Sequence, residues 1–300
     1  MIKVKILCLL FLTFFFSLQG SSQILESQYQ FQETIDLIEF VETAAAYFSQ
    51  KGAGAFIDFG DKDSKWIKGK RYLFLYDLKG NCIFHPYEKE FVGTNILDLQ
   101  DMNGKPVIRN IIDVASNPSK PYGWIHYLWA ERGEIFPYWK SAYVMKVNDQ
   151  EGNSFIIGSG TYQIHLEKKF MLDTIDAAAN LIKKEGEAAY SKLVDKSTMF
   201  YFSDVYIFVI SMEGKAIVDP VFPGIKGRDL IDFKDGVGKY VVREMIDKLQ
   251  IEDKAFIVYL WPQPGQSTLS KKMLYVRKVK VGNDHVIVGS GLFIVEPIWK

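Results

Sequence analysis

The 300-residue sequence is poor in the residues that bind metals or form cross-links. It has two cysteines and four histidines, and neither type occurs at a metal-site spacing such as CxxC or HxxxH. We therefore predict no metal, no cofactor and no disulfide framework. Cys82, the only cysteine after residue 22, lies in an apolar run and is predicted to be a buried thiol.

The sequence also lacks an excess of charge of either sign. Lys and Arg number 36, and Asp and Glu also number 36, so no global positive field can attract a phosphate backbone. We therefore expect no nucleic-acid partner. Because Lys3 and Lys5 lie in the first 22 residues, the remainder carries 34 bases and 36 acids, a net charge of about −2.

Long apolar runs are absent except at the start. The nearly apolar stretch 6–18 follows two lysines and precedes the small residues Gly20, Ser21 and Ser22. A membrane-spanning helix needs about 20 apolar residues, so this pattern predicts a signal peptide at 1–22. An anchor that is kept uncleaved is the alternative. We expect the mature chain to be exported, periplasmic or extracellular, with no stable membrane span after cleavage.

The chain repeats itself. The segment 72–80, YLFLYDLKG, matches 206–214, YIFVISMEG, 134 residues later, and IIGSG at 156–160 matches IVGSG at 287–291. The distance in sequence between matched residues falls from 134 for the first pair of segments to 131 for the second. Two small loop deletions in the second copy would explain this decrease. A period of about 130 residues is the size of a domain rather than of a solenoid repeat. We therefore predict two domains, at 23–164 and 165–300.

Each unit shows the same order of predicted elements. Apolar residues at helical spacing predict a long helix at its start and a short helix in its middle. Hairpin signals at Lys79-Gly80 and Glu213-Gly214 and three aromatic-rich strands complete it. This predicts an α+β fold in which each unit packs a long N-terminal helix on a mainly antiparallel sheet. The glycines of the repeated GSG are predicted to pack closely against the long helix.

Both units hold residue types suited to binding a small anion. Such a ligand loses its hydration in a pocket and needs fixed donors, which a lysine and tyrosine hydroxyls on aromatic walls provide. Strand alternation separates Lys140 from Tyr143 unless a bulge intervenes, and the alternative for every aromatic is a place in the core. The candidates are Tyr72, Phe74, His85, Trp124, Tyr127, Trp129, Lys140 and Tyr143 in the first unit, and Tyr206, Phe208, Asp219, Tyr259, Trp261, Lys272 and Tyr275 in the second.

One candidate position differs in charge between the units. His85 in the first corresponds to Asp219 in the second, and this exchange would select ligands of different charge; capping of a turn is the alternative. Arg109 and Arg243 are predicted to be solvated helix charges. Asp98, Asp101, Asp232 and Asp235 are predicted to serve turns and helix starts.

The ordered motifs resemble a known family. A long helix followed by YLFLYDLKG, HP, LDLQD, GWIHYLW and IIGSG, all in two copies, resembles the extracytosolic Cache sensor fold, a PAS-like module, in its single-Cache form. Members are the outward-facing parts of chemoreceptors, sensor kinases and cyclic-nucleotide enzymes, and many bind small organic acids or other metabolites. The resemblance implies a sensor for signal transduction or chemotaxis with a small-molecule ligand. No apolar run follows up to Lys300, so we expect a separate membrane receptor or sensor kinase to carry the signal.

Two other functions remain open. A structural or protein-interaction protein would have closed pockets and an exposed apolar patch, for example around Tyr122 and Trp124. An exported hydrolase would need a base-activated nucleophile in a cleft, and the residues flanking the two GSG motifs match neither a nucleophile elbow nor a phosphate loop. We therefore predict that the protein is not an enzyme.

Overall fold

The structure is a computed structural model that describes residues 28–262 and 268–294. The predicted signal peptide, 1–22, lies outside the described residues. Two units follow each other along the described chain, and each contains a five-stranded antiparallel sheet. The prediction of an α+β fold built from two similar units is confirmed.

The first unit begins with a long helix and ends with its three longest strands. Its sheet has the strand order β2-β1-β5-β4-β3. Its elements are α1 (Gln32–Lys51), α2 (Ala55–Gly60), β1 (Leu73–Asp77), β2 (Cys82–Phe84), α3 (Val107–Ala115), β3 (Tyr122–Ala130), β4 (Pro137–Asn148) and β5 (Ser154–Tyr162).

The second unit repeats this order and adds a two-stranded ribbon, β6 with β7. Its sheet has the order β10-β11-β12-β8-β9. The short elements α2, α5, β6 and β7 were not predicted, because a segment of two to six residues is too short to show a periodic pattern. The elements are α4 (Lys168–Glu185), α5 (Tyr190–Val194), β6 (Tyr201–Phe202), β7 (Val205–Tyr206), β8 (Phe208–Ser211), β9 (Ala216–Val218), α6 (Val241–Ile251), β10 (Lys254–Pro262), β11 (Leu269–Val281) and β12 (Asp284–Phe293).

Each sheet lies between a long helix and a short one. In the first unit α1 buries residues such as Phe48 against Leu75 on one face of the sheet. The helix α3 buries Ile108 and Ile111 against the other face, which carries Phe74. The second unit places α4 and α6 in the same way. The face under the short helix, called here the pocket face, carries the candidate sites.

The glycines of the two GSG motifs belong to the pocket face and not to the long helix, so that prediction is wrong. A Cβ atom on Gly158 would lie 2.6 Å from the ring of Phe74 and 2.8 Å from Val144 Cγ1. On Gly289 it would lie 2.4 Å from Phe208. The first glycine of each motif is needed because a phenylalanine on the adjacent strand covers its backbone, and the second lies against the stem of Lys140 or Lys272.

Gly158→Ala is expected to lower the free energy of unfolding by about 1 to 3 kcal/mol, because the added methyl overpacks the space that Phe74 fills. Urea denaturation measures this change. Gly54→Ala is the matched control, since Gly54 has helical angles (φ −60°, ψ −24°) and no atom within 4 Å of the added methyl. Equal stability of Gly158→Ala and the wild type would contradict the close packing.

A residue at the start of the second unit caps the first helix of the first. The buried carboxylate of Glu167 accepts the backbone N–H groups of Gln30 at 2.8 Å and Phe31 at 3.0 Å, where α1 begins. Burial raises the pKa of this carboxyl, and the two N–H bonds oppose that rise. Next to it, Glu33 on α1 accepts the N–H of His165 at 2.8 Å. The chain segment that leads into α1 is therefore tied to the other unit by side-chain to backbone hydrogen bonds.

The two units also meet at the outer strand of the first sheet. Phe170 lies 5.0 Å from Trp124 between ring centroids, and Phe202 stacks on His126 at 3.9 Å. Lys105 Nζ donates to the carbonyl of His126 at 2.8 Å and to that of Tyr201 at 3.0 Å. Aromatic packing and a lysine bridge thus cover β3, and we call this contact the unit interface.

Candidate ligand-binding pockets

The second unit contains a cavity of about 250 Å³ between its pocket face and α6. A water molecule occupies about 30 Å³ in the liquid, so the space suits a small metabolite. Most of the wall is apolar, and five side chains bring polar groups to it: Tyr206, Asp219, Tyr259, Trp261 and Lys272.

Lys272 is the cation of this cavity. Its side chain is 4% exposed, and Nζ lies 5.3 Å from the ring centroid of Tyr206 and 4.9 Å from that of Phe293. Burial lowers the pKa of this ammonium, and Asp204 and Asp219 oppose the shift. Within the described part of the chain Nζ makes no hydrogen bond or ion pair. Because an ammonium group buried without an acceptor is costly, a ligand acceptor would stabilise it.

Asp219 and His85 cap equivalent turns. Asp219 Oδ1 accepts the N–H groups of Val221 at 2.8 Å and Phe222 at 2.7 Å, while His85 Nδ1 accepts those of Glu88 at 2.8 Å and Tyr87 at 3.3 Å. Turn capping, one of the two alternatives for this position, is therefore present in both units.

The capping bonds also determine which atom of His85 and of Asp219 remains able to bond to a ligand. Because Nδ1 of His85 accepts, the neutral ring carries its proton on Nε2 and can donate there. Burial and Lys140 lower the pKa of His85 to about 3, so the ring is neutral. Asp219 keeps Oδ2 as an acceptor, and burial raises the pKa of its carboxyl. The same position therefore offers a donor in one unit and an acceptor in the other.

The equivalent site of the first unit is packed with side chains. Lys140, 1% exposed, donates from Nζ to the hydroxyl of Tyr72 at 2.7 Å and lies 5.3 Å from the ring centroid of Tyr162. Burial lowers the pKa of Lys140 to about 7. In contrast to Lys272, this lysine has a hydrogen-bond acceptor within its own unit.

Two aromatic positions account for much of the difference in space. Tyr76 is buried on the pocket face of the first unit, and the repeat places the smaller Ile210 there in the second. Phe74 is fully buried, whereas its counterpart Phe208 borders the cavity. Beside Tyr72 a rim cleft of about 520 Å³ opens.

The structure separates three predicted residues from the pockets. Trp124, Tyr143 and Tyr275 lie on the opposite face of their sheets, with the long helices, because each is an odd number of residues from a pocket-facing neighbour on its strand. Trp124 Nε1 donates to the hydroxyl of Tyr29 at 3.1 Å. The residues brought to the pocket faces are Tyr72, Phe74, His85, Tyr127, Trp129 and Lys140, and Tyr206, Phe208, Asp219, Tyr259, Trp261 and Lys272.

Several pocket residues were not among the candidates predicted from the sequence. Tyr162 lies over Lys140 and could have been found, because it is two residues beyond Gly160 on the same strand face. The others come from loops and from α6, whose distance to the sheet no sequence pattern reports. They include Phe222, Phe233 and Met245. Leu274 was also missed, although it lies on β11 two residues from Lys272 and so on the same strand face.

Asp101 and Asp235 serve turns as predicted, whereas Asp98 and Asp232 pair with arginines of the short helices and accept no backbone N–H group among the described residues. Arg109 pairs with Asp98 and Arg243 with Asp232 at the surface. Asp101 Oδ1 accepts the N–H groups of Asn103 and Lys105, and Asp235 accepts the equivalent pair. Cys82 is buried, which raises the pKa of its thiol to about 11.

Neither a metal cluster nor a membrane span is found in the ranges 28–262 and 268–294. No three His, Cys, Asp or Glu side chains there come together as metal ligands. No helix in these ranges is both long and apolar enough to cross a bilayer.

Comparison with protein families accounts for both units. Residues 26–171 match the model described as Single Cache domain 2, and residues 171–294 match a model described as Cache domain. The chain thus belongs to the Cache family and carries two Cache domains in tandem, which confirms the resemblance seen in the sequence. Domains of this family serve as ligand-binding sensors of chemoreceptors.

Individual proteins of known name or structure have low sequence identity to this chain. The methyl-accepting chemotaxis protein McpP of Pseudomonas putida is 27% identical over 120 residues, 40% of this chain, and the match spans only 21% of McpP. A periplasmic sensor domain of a chemotaxis protein is 25% identical, with a TM-score of 0.35, and the match covers 41% of this chain and 92% of that one. The ligand-binding domain of the Pseudomonas fluorescens chemoreceptor CtaA, solved with L-leucine, is 14% identical, with a TM-score of 0.32 and coverage of 85% and 84%.

Proposed function

We propose that this protein is an exported, non-enzymatic sensor whose second unit binds a small metabolite in the cavity at Lys272. The observation that carries the proposal is the pairing of a buried cation that has no acceptor among the described residues with a cavity beside it. Membership of a family of ligand-binding sensor domains supports the same conclusion.

The polar groups of the cavity define the chemistry of the ligand. A carboxylate would accept from Lys272 Nζ and from the hydroxyls of Tyr206 and Tyr259, which make no hydrogen bond within the described residues. Asp219 Oδ2 would accept from an amine or hydroxyl elsewhere on the same ligand. Apolar side chains such as Met245 would contact the part in between. The ligand is therefore a small carboxylate that also carries a donor.

The first unit calls for a different ligand. His85 Nε2 and Lys140 Nζ are both donors, so a site formed by them would favour an anion without a donor group. Such an anion would have to displace the bond from Lys140 to Tyr72. This cost predicts weaker binding in the first unit than in the second.

Binding would be passed to a membrane protein through the long helices. Closure of the pocket face around a ligand would shift a long helix by about 1 to 2 Å, as in other interface switches. The partner would be a membrane receptor or sensor kinase, and the likeness of part of the chain to a chemotaxis protein supports this class.

A thermal-shift screen of residues 23–300 against organic acids, amino acids and amines tests the proposal. A ligand present at 100 times its dissociation constant stabilises by about 2.7 kcal/mol, which corresponds to a rise in Tm of about 5 to 10 °C for domains of this size. We expect this rise for hydroxy or amino acids and not for simple amines. No rise with any compound, together with a crystal structure in which side chains fill the cavity, would reject the proposal in favour of a protein-interaction role.

A further inference from the structure

An apolar surface on the second unit is only partly covered by the described residues, since Lys168 lies over Phe256 and Gly236 lies against Leu269. Phe256, Val258 and Leu269 are 39%, 44% and 45% exposed. Phe256 and Val258 alternate along β10, and Leu269 pairs with Pro262, so all three side chains lie on the sheet face that carries α4. We call this surface the β10 face.

The internal repeat shows that the equivalent surface in the first unit is covered. Phe256 and Val258 correspond to Trp124 and His126, the residues that Phe170 and Phe202 cover at the unit interface. The contact of Phe256 with Tyr275, at 4.7 Å, reproduces that of Trp124 with Tyr143, at 5.4 Å. The second unit therefore retains a face that in the first unit is an interface.

We infer that the β10 face joins two copies of this chain in an isologous dimer, in which the face of one copy packs on the same face of the other.

A head-to-tail arrangement of copies does not satisfy this face. It would require a second copy to offer the aromatic pair Phe170 and Phe202, and both are already buried in the unit interface of that copy. The equivalent positions of its first unit, 134 residues earlier, are Asp36 and Lys68, which are charged and exposed. An isologous contact uses the same patch twice and needs neither.

An added peptide strand at the edge of the sheet would not cover the β10 face either. Lys248 Nζ donates to the carbonyl of Phe256 at 2.9 Å, and Lys239 Nζ donates to that of Val258. The N–H of Leu260 is held by Asp235 at 3.0 Å. Because these side chains occupy the edge groups of β10 that a new strand would use, the occupant has to pack through side chains, as a folded surface does.

The charges around the β10 face suit a copy of itself. Lys168 Nζ lies 4.3 Å from the ring centroid of Phe256. The exposed residues Glu252 and Asp253, the latter paired with Lys278, precede the strand, and the exposed Lys254 begins it. With both signs present, a two-fold axis can set a lysine of one copy against an acid of the other.

Sedimentation velocity of residues 23–300 at about 5 to 100 µM, a range that brackets the micromolar affinities of modest interfaces, tests the inference. We expect a dimer for the wild type and a monomer for Phe256→Glu/Val258→Glu, with the dissociation constant raised at least about 100-fold, since each buried charge opposes association. The matched control is Ile135→Glu/Phe136→Glu in the first unit, which changes two residues that are 89% and 74% exposed and should leave the dimer intact.

Circular dichroism checks the fold of each variant. If Phe256→Glu/Val258→Glu does not fold, Val258→Lys alone replaces it. A wild-type monomer, a dimer that survives both β10 changes, or equal loss in the control would overturn the inference.

Discussion

Replacing Lys272 by methionine is expected to raise the dissociation constant of a carboxylate ligand about 30-fold to 1000-fold, which corresponds to about 2 to 4 kcal/mol. Methionine keeps the length and apolar contacts of the lysine stem but removes the charged donor. Burial of a methionine is also favourable, so the fold should persist. Isothermal titration calorimetry with a ligand found by the thermal screen measures the loss.

Two further variants locate the effect within the cavity. Lys280→Met changes an exposed lysine of the same strand and should leave affinity unchanged. Asp219→Asn keeps the oxygen that caps the turn but removes the carboxylate, so affinity for ligands with an amine should fall most. Lys140→Met in the first unit tests the second lysine in the same way. Unchanged affinity in both Lys140→Met and Lys272→Met would refute the role of the two cations.

Lowering the pH from about 7 to about 5 is expected to reduce the free energy of unfolding by about 2 kcal/mol for each of two histidines, the buried His85 and the partly buried His126. Burial lowers the pKa of His126 to about 3, aided by Lys105, and that of His85 to about 3 as well. Both folded pKa values lie below the unfolded value of about 6.5. Between these limits only the unfolded state takes up protons, so stability falls as the pH falls through about 6.5.

The slope of stability against pH, measured by urea denaturation, distinguishes the histidines from other groups. His85→Asn keeps an acceptor for the turn, and His126→Phe keeps a ring on Phe202. In each variant the loss of unfolding free energy between pH 7 and pH 5 should be smaller than in the wild type by about 2 kcal/mol. His285→Asn, at an exposed position, is the control. Buried carboxyls whose pKa is raised, such as Glu167, oppose the loss in every variant. A slope that is the same in all four proteins would contradict the prediction.

Strand alternation predicted part of the pockets correctly. The three-residue spacing of Lys140 and Tyr143 indicated opposite faces, and the structure places Lys140 beside Tyr72 and Phe74 on the pocket face and Tyr143 under α1. The two glycines of each GSG were recognised as a close approach, but the sequence could not tell which face they served. Only the pairing of Gly158 with Phe74 on the neighbouring strand decides it.

The open or closed state of each pocket was beyond the sequence. Both units carry an equivalent lysine and a similar set of aromatic residues, so their sequences predict the same kind of pocket. The difference depends on side chains such as Tyr76 in the first unit and Ile210 in the second, which lie at equivalent positions on the pocket face. Such differences arise from the sum of many side-chain volumes across three layers, and a one-dimensional pattern does not contain them.

The carboxylate of Glu167 makes the two units thermodynamically dependent on each other. If the second unit unfolds, the N–H groups of Gln30 and Phe31, at the entry to α1, lose their acceptor. A ligand that stabilises the second unit therefore also opposes fraying of α1 in the first. We therefore expect the unfolding of α4 and of α1 to be coupled, with the side chain of Glu167 as the link between them.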